Sequence, residues 1–90
     1  MDRTIEVPEY LPDGRGLRFA WDDGFEIEVV AGSAEVLIRA NPAGLTSLAR
    51  HLLTLAQDGV RPGAHLHLTA DQEIDSTVDL ILERAPDDPE

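Results

Sequence analysis

A run of leucines and alanines after Asn41 constrains the fold of this chain more than any other feature. Asn41 is a favoured helix N-cap, and Pro42 suits the first helical position because its missing N–H needs no partner there. Apolar residues then recur at helical spacing as far as Gly59, a residue type that often ends helices. The apolar stripe comprises Leu45, Leu48, Ala49, Leu52, Leu55 and Ala56. The pattern predicts an amphipathic helix over residues 42–58 that buries this stripe against another layer.

Alternating apolar residues predict strands on both sides of the helix. The runs cover residues 4–7, 17–21, 25–30 and 34–40 before the helix, and residues 64–68 and 77–84 after it. Turn-forming residues separate them, including a Pro-Asp-Gly cluster at residues 12–16 and an Asp-Gly pair at residues 23–24. An Asp-Gly pair between alternating runs is a strong hairpin signal, so the runs predict an antiparallel meander with one buried face.

These elements predict an α+β fold, a two-layer sandwich with its outer sheet face in water. One amphipathic helix is expected to pack on a four- to six-stranded, mainly antiparallel sheet in the order β-β-β-α-β-β, to which residues 4–7 could add an N-terminal strand. Ninety residues support one modest core, so residues 1–85 are expected to form a single domain. Residues 86–90 are acidic and proline-rich, which predicts a disordered acidic tail.

The charge balance restricts the classes of partner. Eighteen acidic residues face seven basic ones, all arginine, and the formal net charge is −11. Nucleic acid is not expected as a partner, because binding to phosphates requires cationic side chains. The same charge would steer a basic protein partner, although an acidic surface also serves solubility alone.

The sequence lacks the residues and segments that several kinds of chemistry and membrane association require. It contains no cysteine, which excludes disulfides and thiol chemistry. No apolar run is long enough to span a membrane, and the first residues lack the apolar core of a signal peptide. We therefore expect a cytoplasmic protein without membrane association.

Two histidines provide the best candidate site. His65 and His67 alternate with leucines, so both imidazoles project from the outer sheet face, about 7 Å apart along the strand. A metal site would need further ligands, for which the candidates are His51, Asp71, Glu26, Glu28 and Glu35. The same histidines could instead bond cross-strand carboxylates or contact a partner. Paired carboxylates can also run acid–base catalysis, but a flat solvated sheet lacks the pocket this requires, so no enzyme activity is expected.

Two segments together carry a family resemblance. Asn-Pro-Ala-Gly-Leu at residues 41–45, with the leucine-rich run behind it, and Gly-x-His-x-His-Leu at residues 63–68 resemble the immunity protein 32 family. These are small bacterial proteins associated with polymorphic toxin systems. One departure is visible, since the family pattern has an acidic residue after Leu68 where this chain has Thr69 and then Asp71.

The resemblance implies a non-catalytic, cytoplasmic immunity protein that binds and neutralises a toxin domain and needs no cofactor. The expected partner is a basic toxin, and the expected contact residues are His65, His67, Glu26, Glu28 and Glu35. Two alternatives remain open. One is a small metal- or ligand-binding module on the His65/His67 strand face. The other is an oligomerising structural domain, a homodimer formed through an edge strand of the open sheet.

Overall fold

The computed structural model describes residues 4–11 and 16–87. Its elements, in order, are β1 (Ile27–Ala31), β2 (Val36–Ala40), α1 (Pro42–Leu55), β3 (His65–Leu68) and β4 (Leu80–Glu83). β1 pairs with β2, and β3 pairs with β4, both antiparallel, to give two separate two-stranded sheets. The α+β class agrees with the prediction, but the single sheet of four to six strands and the order β-β-β-α-β-β are wrong.

A loop, not a strand, lies along the second edge of β1. The Val29 N–H donates to the Asp75 carbonyl at 3.0 Å, and the Asp75 N–H donates to the Ile27 carbonyl at 2.8 Å. This single parallel bridge joins the β1–β2 sheet to the segment after β3. The core forms at this junction and contains Ile27, Val29, Leu68 and Ile74. Because Asp75 bonds to this edge of β1, neither β3 nor β4 pairs with it there.

The two strands expected at residues 4–7 and 17–21 are also wrong, since neither segment belongs to a strand. Side chains of α1 and of the residues just after it take the place of a neighbouring strand. Arg50 Nε donates to the Glu6 carbonyl at 2.9 Å, and Gln57 binds both the Pro8 carbonyl and the Tyr10 N–H. Period-two alternation alone does not make a strand, because a strand also requires a backbone ladder, which is absent from these described residues.

The second of these segments, residues 17–21, is likewise held by side chains of α1. The Asp22 N–H donates to Ser47 Oγ at 2.8 Å, and Arg50 Nη1 lies 2.6 Å from Asp22 Oδ1. Trp21 packs against the core and contacts the ring of Phe25. Of the turn expected at residues 12–16, only Gly16 lies within the described residues. Residues 88–90 of the expected tail lie outside them too.

The prediction for the start of α1 is confirmed, and the prediction for its end is wrong. Asn41 Oδ1 accepts hydrogen bonds from the N–H groups of Gly44 and Glu26, and Asn41 Nδ2 donates to the Gly24 carbonyl. One side chain thus caps the helix and holds the turn before β1. The C-cap is Ala56 and not Gly59. Arg84 Nη1 donates to the Leu55 carbonyl at 2.9 Å, which places a cation at the negative end of the helix dipole.

The buried face of α1 is not the leucine stripe. Its buried residues are Gly44, Ser47, His51, Thr54 and Leu55, whereas Leu45, Leu52 and Leu53 are about half exposed. At 100° per residue, the centre of the buried face is turned by roughly 110° from the centre of the stripe. Polar residues can occupy it because the hydroxyls of Ser47 and Thr54 have hydrogen-bond partners.

Gly44 brings the helix into contact with β1. A Cβ at this position would lie 2.5 Å from the Glu26 carbonyl oxygen and 3.0 Å from Ala40 Cβ and Ile27 Cγ1. Backbone cannot yield as a flexible side chain can, so Gly44→Ala is expected to lower the free energy of unfolding by about 1–3 kcal/mol. Helix propensity alone predicts the opposite, a gain of about 1 kcal/mol. Urea denaturation distinguishes the two, and increased stability in the variant would refute the close approach.

Candidate functional site

The two predicted histidines lie on the exposed face of β3. His65 is opposite Glu83 and His67 is opposite Ile81 in the β3–β4 register. Both histidines are exposed, while Leu68 on the other face is fully buried. The alternation in the sequence therefore placed both side chains correctly, away from the core.

His67 is paired with a carboxylate that was not among the predicted site residues. Its Nε2 lies 2.7 Å from Asp79 Oδ2, and Asp79 Oδ1 accepts a hydrogen bond from the Ala70 N–H at 2.8 Å. The Ala70 N–H, followed by the hydrogen bond to His67, lowers the pKa of the Asp79 carboxyl. Asp79 thus remains ionised and can orient the His67 ring. The carboxylate beside His67 therefore comes from the residue just before β4 and not from position 69.

His65 has a different environment. Its Nδ1 lies 3.0 Å from the Gly63 carbonyl oxygen, which only accepts, so the proton of this contact resides on Nδ1. Gly63 has a φ of 89°, a value that favours glycine, and its N–H donates to the Arg84 carbonyl. In the Gly-x-His-x-His pattern, the glycine therefore provides the backbone conformation that is needed just before β3. The two histidines then place exposed imidazoles on that strand.

A second surface, the acidic groove, lies on the other sheet. It is an open groove of about 670 Å³, bounded by the start of β1, the end of β2 and the loop after β3. Its carboxylates are Glu26, Glu28, Asp71, Glu73 and Asp75, and its one basic residue is Arg39. Arg39 Nη1 is 3.3 Å from Glu28 Oε1, so its charge is partly offset within the groove. The groove therefore presents a strong excess of negative charge.

The structure divides the predicted contact residues among three places. Glu26 and Glu28 line the acidic groove, and His65 and His67 lie on the β3–β4 face. Glu35 lies in the turn between β1 and β2, where its carbonyl accepts from the Gly32 N–H, and it does not line the groove. Four carboxylates were missed, namely Asp71, Glu73, Asp75 and Asp79. Asp71 was considered only as a metal ligand, and the others were read as part of a polar loop or a strand.

The described part of the chain offers neither a metal-ligand cluster nor a membrane-spanning helix. Within residues 4–11 and 16–87, no three His, Asp or Glu side chains are grouped so as to hold a metal ion. In the same part of the chain, no helix has the length and apolar character needed to cross a membrane.

Comparison with known proteins decides the family. The model of the immunity protein 32 family matches residues 35–85, more than half of the chain. The chain belongs to the immunity protein 32 family. The resemblance noted in the sequence is thereby confirmed. No curated protein and no solved structure matches the chain.

The family match covers only part of the candidate surfaces. Residues 35–85 contain β2, α1, β3 and β4, and with them the His67–Asp79 pair and the loop side of the acidic groove. Glu26 and Glu28, which form the β1 side of the groove, lie before the matched segment. The groove is therefore built partly from the immunity protein 32 segment and partly from the strand that precedes it.

Proposed function

We propose that this chain is a non-catalytic, cytoplasmic inhibitor that binds a basic toxin domain and blocks it stoichiometrically. Membership of an immunity protein family supports a toxin as the partner. The acidic groove is the observation that supports a basic one, since it gathers five carboxylates around one arginine. A partner surface rich in Lys and Arg would complement this groove and be steered towards it.

The His65/His67 face is the second part of the proposed contact surface. His67 and Asp79 are both partly exposed, so a partner can reach the pair without rearranging the fold. Ile81 lies opposite His67 and is 52% exposed, which adds apolar area beside the polar groups. Apolar area next to polar groups is the usual composition of a protein–protein contact.

Charge removal in the groove tests this proposal. Glu26→Gln with Asp71→Asn removes two charges while keeping the side-chain shapes, and asparagine tolerates the φ of 64° at Asp71. We expect this variant to bind the protein encoded beside it about threefold to tenfold more slowly, with a weaker dependence on salt. The measurement is the association rate at several salt concentrations.

The matched control removes two charges elsewhere. Glu9→Gln with Asp58→Asn changes the net charge equally, and both residues are exposed and lie outside the groove lining. This control should associate at nearly the wild-type rate. If both variants slow association equally, overall charge and not the groove steers the partner. Wild-type association that does not depend on salt would contradict the basic partner itself.

A further inference from the structure

One edge of β2 has no partner strand among the described residues. β2 pairs with β1 on one side, with Val29 opposite Ile38 in the register. The Gly32 N–H donates to the Glu35 carbonyl, and the Asn41 N–H donates to the Glu26 carbonyl, at the two ends of this ladder. Because hydrogen-bonded pairs alternate along an antiparallel ladder, the N–H and C=O groups of Val36, Ile38 and Ala40 point away from β1.

This edge has few of the features that usually protect an edge strand. β2 has the sequence Val-Leu-Ile-Arg-Ala, with no proline, glycine, lysine or acidic residue. Val36, Leu37 and Ile38 are all large, apolar and at least 41% exposed. Natural edge strands normally carry charges, prolines or bulges that prevent pairing with another chain. The one charge on β2 is that of Arg39, so this edge is weakly protected and suited to receiving a further strand.

We propose that a second copy of this chain pairs with β2 across a two-fold axis, to give a four-stranded sheet through two molecules. With Ile38 opposite its own copy, Val36 faces Ala40, and each of these pairs can exchange two hydrogen bonds. The register is self-complementary because the outward-facing groups are centred on Ile38. Ile38 side chains then meet on the sheet face shared with Val29, where each is otherwise half exposed.

Charge favours this edge over the rest of the surface as a contact between copies. The net charge of −11 makes two copies repel one another, and any contact that joined their acidic grooves would be opposed. β2 contains no carboxylate, and its single charge, Arg39, is paired with Glu28 of the same molecule. In the proposed register the two Arg39 side chains are only diagonal neighbours. The edge therefore brings apolar and backbone groups together without placing carboxylates opposite one another.

Sedimentation velocity of the protein alone, over a hundredfold range of concentration, tests the proposal. We expect a species of twice the 9.8 kDa protomer mass, and salt should increase its population because salt screens the repulsion. Salt has the opposite effect on the proposed toxin contact, so the two proposals can fail separately. A single species of 9.8 kDa at every concentration and salt level would overturn the dimer.

Matched variants locate the contact. Ile38→Lys should weaken self-association by at least tenfold, because it places two like charges at the axis. Val78→Lys is the control, since Val78 is 42% exposed against 43% for Ile38 and lies outside the strands. Val36→Lys, on the same edge, replaces Ile38→Lys if circular dichroism shows that the latter is unfolded. Dimers that persist in a folded edge variant, or that are lost equally in the Val78 variant, would contradict β2 as the interface.

Discussion

Replacing Leu55 with alanine is expected to lower the free energy of unfolding by about 2–5 kcal/mol, as truncation of a buried leucine does. The same change at Leu52 is expected to cost less than about 1 kcal/mol. Leu55 is 5% exposed and Leu52 is 54% exposed, although both belong to the apolar stripe of α1. The two substitutions remove the same atoms from one helix, so helix propensity cancels and burial decides the difference.

Urea denaturation of the two variants gives the comparison directly. The pair tests the orientation of α1, because the leucine stripe alone would predict that both residues face the core. Equal losses of stability would contradict the orientation described above and favour the orientation that the sequence pattern predicts. A large loss only at Leu55 would establish that the leucines at positions 45 and 52 are available to solvent or to a partner.

His51→Leu is expected to stabilise the protein by about 1–3 kcal/mol at pH 7. His51 is fully buried against the rings of Phe19 and Trp21, and neither of its ring nitrogens has a hydrogen-bond partner among the described residues. Leucine has a similar volume and no polar atoms to leave unpaired. The variant therefore keeps the packing and removes the cost of burying two unpaired nitrogens.

The same variant should respond differently to acid. Burial, and secondly the Arg50 guanidinium, lower the pKa of His51 from 6.5 to about 4. As the pH falls below 6.5, the unfolded chain binds a proton at this position before the folded chain does, so the wild type loses stability. That loss amounts to about 3 kcal/mol by pH 4, at 1.36 kcal/mol per pH unit. The stability advantage of His51→Leu should grow by this amount between pH 7 and pH 4, and a constant difference would refute a buried neutral imidazole.

The sequence predicted the elements of this fold better than their arrangement. The strands at β1 to β4 were found by alternation, and Asn41 was recognised as the helix cap, because both signals are local. The face that α1 buries is not a local property. It depends on the close approach of Gly44 to β1 and on hydrogen bonds between the N-terminal segment and the side chains of Ser47 and Arg50. Each of these contacts joins residues that are 17 or more positions apart in sequence, which a periodic pattern cannot reveal.

The same distinction between local features and long-range contacts applies to the candidate surfaces. The exposure of His65 and His67 follows from alternation within one strand, and it was predicted. The pairing of His67 with Asp79 depends on the β3–β4 register, which the intervening loop of residues 69–79 sets. The acidic groove likewise requires that this loop lie against β1, a contact made by the backbone of Asp75. Backbone contacts of this kind do not require particular residue types, so the groove could not be predicted from the sequence.

The most direct test of the proposed inhibitor is purification of this chain from cells that also express the genes adjacent to its own. We predict recovery of one basic protein at fixed stoichiometry, released by salt, whose toxicity is suppressed only when the two are expressed together. The Glu26→Gln, Asp71→Asn variant should recover less of it, and the Glu9→Gln, Asp58→Asn control should recover as much as the wild type. Absence of any such protein, or a neighbouring toxin that remains active when bound, would contradict the proposed function.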